Sequence, residues 1–216
     1  MITIFVVDDH AVVRDGLRLL LETQSDFQVV GDAGNGREAV YQISQHCPNV
    51  VILDIAMPDL NGIEAMRQIR AACPETQVII LSMHATGSYI IQALQAGANG
   101  YLLKAAAGSE VITAIRAVQS GQRYMSQKIV DTVINTYLSR PDVLEERDPL
   151  ARLSSREREI LQLVVEGKSS IEIAHVLAIS PNTVDTYRSR LMQKLGISDL
   201  PGLVKFAIQH GLISLE

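Results

Sequence analysis

The chain has 216 residues, 47% of them apolar and 20% charged, with a formal net charge of −5. Those values belong to an ordinary soluble globular protein, long enough for a full core and most simply divided into two domains. No apolar run approaches membrane-spanning length, and Ile2 to Val7 followed by Asp8-Asp9 lacks the basic start of a signal peptide, so no membrane partner is expected.

The two cysteines, Cys47 and Cys73, each precede a proline at a predicted helix end. That count indicates neither a disulfide scaffold nor a metal site, and reduced thiols in a cytoplasm are expected. Charge is uneven along the chain. Residues 1–120 carry 7 Lys+Arg against 12 Asp+Glu, whereas residues 151–216 carry 8 against 7. A near-neutral tail is a weak footprint for a nucleic-acid binder, so pattern must carry any such claim.

In chain order, Ile2 to Val7 reads as a short buried strand ending on Asp8-Asp9, with a helix from about His10 to Glu22. A strand follows at Phe27 to Ala33, then Gly34-Asn35-Gly36 turns into a helix reaching about His46. Val50-Val51-Ile52-Leu53 is an apolar run ending on Asp54, and the loop Met57-Pro58-Asp59-Leu60-Asn61-Gly62 leads into a helix to about Ala72. Gln77 to Ser82 is a fourth strand, ending on a hydroxyl. After a helix near Gly87 to Ala96, the strand Tyr101-Leu102-Leu103 ends on Lys104, and a helix from about Ser109 to Ser120 follows.

Five strands alternating with five helices predict an α/β fold, a five-stranded parallel sheet covered on both faces. Right-handed crossovers place all the strand carboxyl ends along one edge, where Asp8, Asp9, Asp54, Ser82 and Lys104 converge. Taken singly, each has a plainer role: Asp8 and Asp9 as helix caps, Asp54 as a turn former, Ser82 as a strand end, Lys104 as a solvated charge. Together they match a phosphoacceptor pocket. Three carboxylates need a compensating cation, and an all-oxygen set open to solvent suits Mg²⁺. Asp54 is then the nucleophile, while Lys104 and the Ser82 hydroxyl face the phosphoryl oxygens.

Residues 1–120 resemble the receiver domain of bacterial two-component response regulators, on Asp8-Asp9, Asp54 with Met57-Pro58 and Gly62, Ser82, Tyr101 and Lys104. The resemblance implies a flavodoxin-like, doubly wound sheet and a sensor histidine kinase that phosphorylates Asp54. It implies Mg²⁺ held by Asp9 and Asp54 directly, by Asp8 through water, and by the backbone carbonyl of Ala56. It also implies a switch in which Ser82 swings toward the phosphate and Tyr101 turns inward. One departure is Ala105 after Lys104, where many receivers have a proline and a cis bond; a non-proline cis bond is costly.

Residues 121–150 read as a linker with a helix at about 126–138, and the charged, proline-bounded stretch from Arg140 to Pro149 reads as flexible. Residues 151–216 hold only short helices, opened by Ser154/Ser155, by Ser169-Ser170, by Asn182 or Thr183, and near Leu200. Two short helices around Ile179-Ser180-Pro181 form a helix-turn-helix pattern. In its second helix Val184, Tyr187, Leu191 and Leu195 fall inward. Asn182, Asp185, Thr186 and Ser189 fall opposite, with Thr183 at the helix start and Arg188, Arg190 and Lys194 placed to reach phosphates. Periodicity alone fits a plain four-helix packing module equally well.

This region resembles the LuxR-type DNA-binding domain of NarL/FixJ regulators, on Leu153 to Glu157, Ile171 to Ala174, Ile179-Ser180, Thr183-Val184 and Lys194-Leu195. It departs from that pattern at Asp185 and Tyr187, where many members have Lys and His. An Asp can accept from cytosine N4 but is repelled by phosphate. The resemblance implies double-stranded DNA with paired half-sites as a partner. It implies a homodimer formed through Leu200, Leu203 and Val204 of the last helix, and RNA polymerase as a further partner.

The combined reading is a cytoplasmic bacterial transcriptional regulator controlled by phosphorylation of Asp54, not an enzyme. Two rivals stand beside it. A turnover phosphatase would usually carry a second acid two residues after the nucleophile, where this chain has Ala56. A receiver-controlled protein-interaction adaptor that does not bind DNA is favoured by Asp185 and the near-neutral tail.

Overall fold

A computed structural model of the protein describes residues 1–106, 108–139, 149–210 and 212–213. The chain divides into two compact units, Met1–Pro141 and Asp142–Glu216. The charged stretch expected to be a flexible linker, residues 140–148, lies outside the described residues.

In the first unit, strands β1 (Ile2–Val7), β2 (Phe27–Ala33), β3 (Val50–Leu53), β4 (Gln77–Ser82), β5 (Gly100–Leu103) and β6 (Tyr124–Met125) form one sheet in the order β2-β1-β3-β4-β5-β6. All its pairings are parallel. The interleaved helices are α1 (Ala11–Glu22), α2 (Gly36–His46), α3 (Gly62–Ala72), α4 (Gly87–Gln95) and α5 (Gly108–Gln119), with α6 (Gln127–Ser139) after β6. Alternating strand residues serve opposite faces. Val51, Leu53, Val78 and Ile80 pack with Ala39, Ile43, Met66 and Ile69 of α2 and α3. Val50, Ile52, Ile79 and Leu81 pack with Leu17 and Leu21 of α1 and Ala114 and Ile115 of α5. The strands are apolar throughout because both sides are covered.

The sheet has one strand more than expected. Tyr124 and Met125 pair with Gly100 and Tyr101, and the helix after them buries Ile129 in the same core. Residues assigned to the linker thus belong structurally to the first unit. A two-residue strand carries too little periodicity to be seen in a sequence.

The cysteines require a correction. Cys47 and Cys73 form a disulfide, with Cα atoms 5.4 Å apart. The reason is topological: Cys47 caps α2 and Cys73 caps α3, and each leads into one of two neighbouring strands paired as Val50 with Gln77. Equivalent turns of adjacent βα units lie side by side.

The second unit is all helical: α7 (Ser155–Val165), α8 (Ser170–Leu177), α9 (Pro181–Leu195) and α10 (Leu200–Gln209), preceded by a 3-10 turn at Pro149–Arg152. Ser154 with Glu157, and Ser169 with Glu172, form capping boxes that start α7 and α8. Ser180 caps α9, and Gly196, in the left-handed region, ends it. Ile160, Leu163, Ile173, Val184, Leu191 and Leu203 make its core.

Candidate functional site

Four strand ends deliver side chains to one crevice. The order β2-β1-β3 places the chain reversal between β1 and β3, the point where open parallel sheets bind ligands. Asp8 follows β1, Asp54 follows β3, Ser82 ends β4 and Lys104 follows β5. Asp8, Asp54 and Ser82 are buried, and Asp9 is the more open carboxylate.

Lys104 Nζ lies 2.7 Å from Oδ2 of Asp54 and 2.7 Å from Oδ2 of Asp8. The Ile55 N–H donates to Oδ1 of Asp54 at 2.7 Å, fixing the rotation of the carboxylate. Burial pushes the Asp54 carboxyl above its ordinary range, with Asp8 adding to the rise and Lys104 opposing it. Burial works against the Lys104 charge, but its bonds to Asp54 and Asp8 outweigh this, and its pKa is raised overall. Asp54 is therefore a poorly solvated carboxylate whose charge is opposed by burial and favoured by one lysine.

Gly62 begins α3 against this site. A β-carbon there would collide with the Asp54 carbonyl oxygen, so only glycine lets the helix start so close. Across the crevice, the Lys104 N–H donates to the Ser82 carbonyl at 2.9 Å, and the Lys104–Ala105 bond is trans, there being no cis bond among the described residues. Ser82 Oγ accepts from the His84 N–H at 3.1 Å.

The Tyr101 ring, expected to turn inward on phosphorylation, is fully buried in this structure, and its hydroxyl donates to the His84 carbonyl at 2.8 Å. Burial pushes its phenol far above the ordinary range. The His84 ring stacks on Tyr89 with centroids 4.8 Å apart.

Asp8, Asp9, Asp54 and His10 offer ligand atoms within 4.8 Å of one another. Three carboxylates against one ammonium leave two negative charges in the crevice, which a divalent ion would balance, and oxygen donors suit a hard one. His10 was not singled out from sequence. Its Nδ1 lies 2.7 Å from Asp9 and 3.2 Å from Asp8, and the Asp9 charge raises its pKa. Its adjacency to Asp8-Asp9 was the available signal. Ala56 is exposed in the loop after β3.

In the second unit, α8, a turn at Ala178-Ile179-Ser180 and α9 form the helix-turn-helix. Val184 and Leu191 are buried, with Tyr187 and Leu195 packed beside them. Asn182, Thr183, Asp185, Thr186, Ser189 and Arg190 are exposed. Two residues expected to reach phosphates make contacts within the unit. Lys194 reaches back to the buried Glu157 at 2.7 Å, and Arg188 donates to Ser170 Oγ at 3.1 Å. The same Ser170 hydroxyl donates to Asp185 at 2.6 Å. On α10, Leu203 is buried in the domain core, so it does not share an outer face with Leu200 and Val204. Those two line an open apolar groove with Pro201 and Ile208.

Residues 4–116 match the response regulator receiver domain, and residues 151–207 match the bacterial regulatory proteins of the luxR family. Response regulator UvrY of Escherichia coli (strain K12) is 39% identical over 216 residues, covering 100% of this chain and 98% of its own. The chain belongs to the NarL/FixJ family of response regulators. Oxygen regulatory protein NreC of Staphylococcus carnosus (strain TM300) is 37% identical, covering 97% of the regulator and 98% of itself.

Among solved structures, a LuxR-family two-component response regulator from Aurantimonas sp. SI85-9A1 aligns with a TM-score of 0.62 at 33% identity. It covers 64% of the regulator and 99% of its own chain. RcsB of Salmonella enterica serovar Typhimurium, solved bound to promoter P1flhDC with a phosphomimetic, aligns with a TM-score of 0.60 at 25% identity. That match covers 95% of the regulator and 97% of RcsB. A receiver followed by a LuxR-type helix-turn-helix makes the regulator a DNA-binding transcriptional regulator under phosphorylation control, favoured over the adaptor reading.

Proposed function

We propose that a sensor histidine kinase transfers its phosphoryl group to Asp54, and that this transfer drives the helix-turn-helix units to pair as a homodimer on two DNA half-sites. The observation that carries the reading is the placement of Lys104 between Asp54 and Asp8 at the carboxyl edge of the sheet. An Asp54 carboxylate oxygen attacks phosphorus, and the phosphorus–nitrogen bond of the donor histidine breaks. Lys104 then pairs with a phosphoryl oxygen and the Ser82 hydroxyl donates to another, which calls for Ser82 to turn from its bond with His84.

Asp9 and Asp54 would hold Mg²⁺ directly, with Asp8 acting through water and the Ala56 carbonyl completing the set. Bound there, the ion offsets the charge of the incoming phosphoryl group. We assign the regulator no turnover chemistry beyond hydrolysis of its own acyl phosphate, since Ala56 supplies no second acid. Asn182, Thr183, Asp185, Thr186, Arg188, Ser189, Arg190 and Lys194 are the proposed DNA-facing residues, and Leu200 and Val204 the proposed pairing residues. RNA polymerase is a further proposed partner and the cytoplasm the proposed compartment; no helix among the described residues is long and apolar enough to cross a membrane.

The test is incubation with a small acyl phosphate and Mg²⁺. The wild-type chain should gain one base-labile phosphoryl group and Asp54→Asn none. Equal labelling of the variant would place the acceptor elsewhere.

A further inference from the structure

The disulfide sits where neither the phosphoacceptor crevice nor the helix-turn-helix uses it. The two residues differ in access: Cys47 is exposed, and Cys73 is 2% exposed. Cys47 also holds a left-handed backbone with φ of 40°, at a helix end where glycine is the usual residue. Cys47 and Cys73 both line an open depression of about 180 Å³ between the two turns.

The turns do not depend on sulfur for their proximity. Thr76 Oγ1 donates to the Pro48 carbonyl at 2.8 Å, and the Gln77 N–H donates to the Asn49 carbonyl at 2.9 Å. Helices α2 and α3 share Ala39, Ile43, Met66 and Ile69 in one core. Cys73 Sγ lies 3.5 Å from the Ile43 carbonyl oxygen, an acceptor ready for a thiol proton. Both redox states are therefore compatible with the same packing, and the thiols stay neighbours when reduced.

We propose that Cys47 and Cys73 form a reversible thiol–disulfide site, closed by a small-molecule disulfide and opened by the corresponding thiol. In closure the Cys47 thiolate attacks one sulfur of the oxidant, the oxidant's sulfur–sulfur bond breaks, and one small thiolate leaves and takes up a proton. Cys73 then loses its proton and attacks the Cys47 sulfur of the mixed disulfide, expelling the second small thiol. Two protein thiols are oxidised by two electrons, and one disulfide is reduced to two thiols. Closure ties the end of α3 to α2, while the start of α3 rests on the Asp54 carbonyl. The receiver is thereby clamped at the edge of its sheet opposite the acidic crevice.

The test equilibrates the full chain in mixtures of reduced and oxidised glutathione, blocks free thiols with an alkylating agent, and weighs the product. Two alkylations should give way to none in one two-electron transition, with the chain remaining monomeric. Crosslinking across 26 residues should raise the thermal midpoint of the receiver by about 10 °C. Cys73→Ser should hold one glutathione as a stable adduct on Cys47, and Cys47→Ser should hold none. Cys73→Ala serves as the second trap, so that a folding defect of the serine variant does not decide the outcome. Thiols that stay alkylatable across the whole series, covalent dimers, or an unchanged midpoint would each overturn the proposal.

Discussion

The Tyr101 hydroxyl donates to the backbone carbonyl of His84 across 2.8 Å, from a ring with no exposure. The loop after β4 is therefore already fastened to β5 before any phosphoryl group arrives. Within that loop, the Ser82 oxygen is engaged by the His84 N–H, a bond it would exchange for one to phosphate. Tyr101→Phe keeps the ring and removes the donor, leaving the carbonyl to find water. We expect a loss of about 1 kcal/mol in receiver stability, read by urea unfolding, with phosphoryl acceptance unchanged.

Gly62→Ala should be far more damaging than its size suggests. The added carbon meets the carbonyl oxygen of Asp54, a backbone atom with no rotamer to escape into. A cost of about 2 kcal/mol or more is expected in the same assay, with slower labelling of Asp54 because the start of α3 must move.

Acid should loosen the helical unit through Glu157. Burial alone would raise this carboxyl, but Lys194 and the Ser154 bonds outweigh burial and hold its pKa below the ordinary range. A depressed folded value means the stabilisation is present above the unfolded pKa of about 4.3 and is lost as pH falls through the folded value. Denaturant unfolding of the second transition from pH 6 to pH 3 should show this loss. Glu157→Gln should flatten it, at a cost near 1 kcal/mol for the weakened capping box.

If α9 faces DNA as proposed, the Asp185 carboxylate opposes phosphate contact. Its carboxylate accepts from Ser170, which also accepts from Arg188, so acid and base share one hydroxyl. Asp185→Asn keeps an acceptor for Ser170 and removes the negative charge. Binding to any duplex should tighten roughly 2- to 5-fold at low salt, and less at high salt. Tightening on one sequence alone would instead mark Asp185 as a reader of bases.

The parallel sheet and its crevice were legible because they rest on local signals: short, mostly apolar runs, four of them closed by an acidic, basic or hydroxyl side chain. What escaped depends on adjacency in space. Nothing near Lys194 announces Glu157, 37 residues away, and nothing near Cys47 announces Cys73. Leu203 fits the apolar periodicity of α10 as well as Leu200 does, but only packing shows that it belongs to the core. Tyr101 was assigned a motion by resemblance, and its burial and its bond to His84 are read only from packing.

The most direct measurement is retention of fragmented genomic DNA by the regulator, with and without a small acyl phosphate and Mg²⁺, followed by sequencing. Phosphorylation control of DNA binding requires enrichment of a paired half-site that strengthens with the donor and reverts to the unphosphorylated level in Asp54→Asn. Enrichment indifferent to both donor and Asp54, or no enrichment in either state, would contradict it.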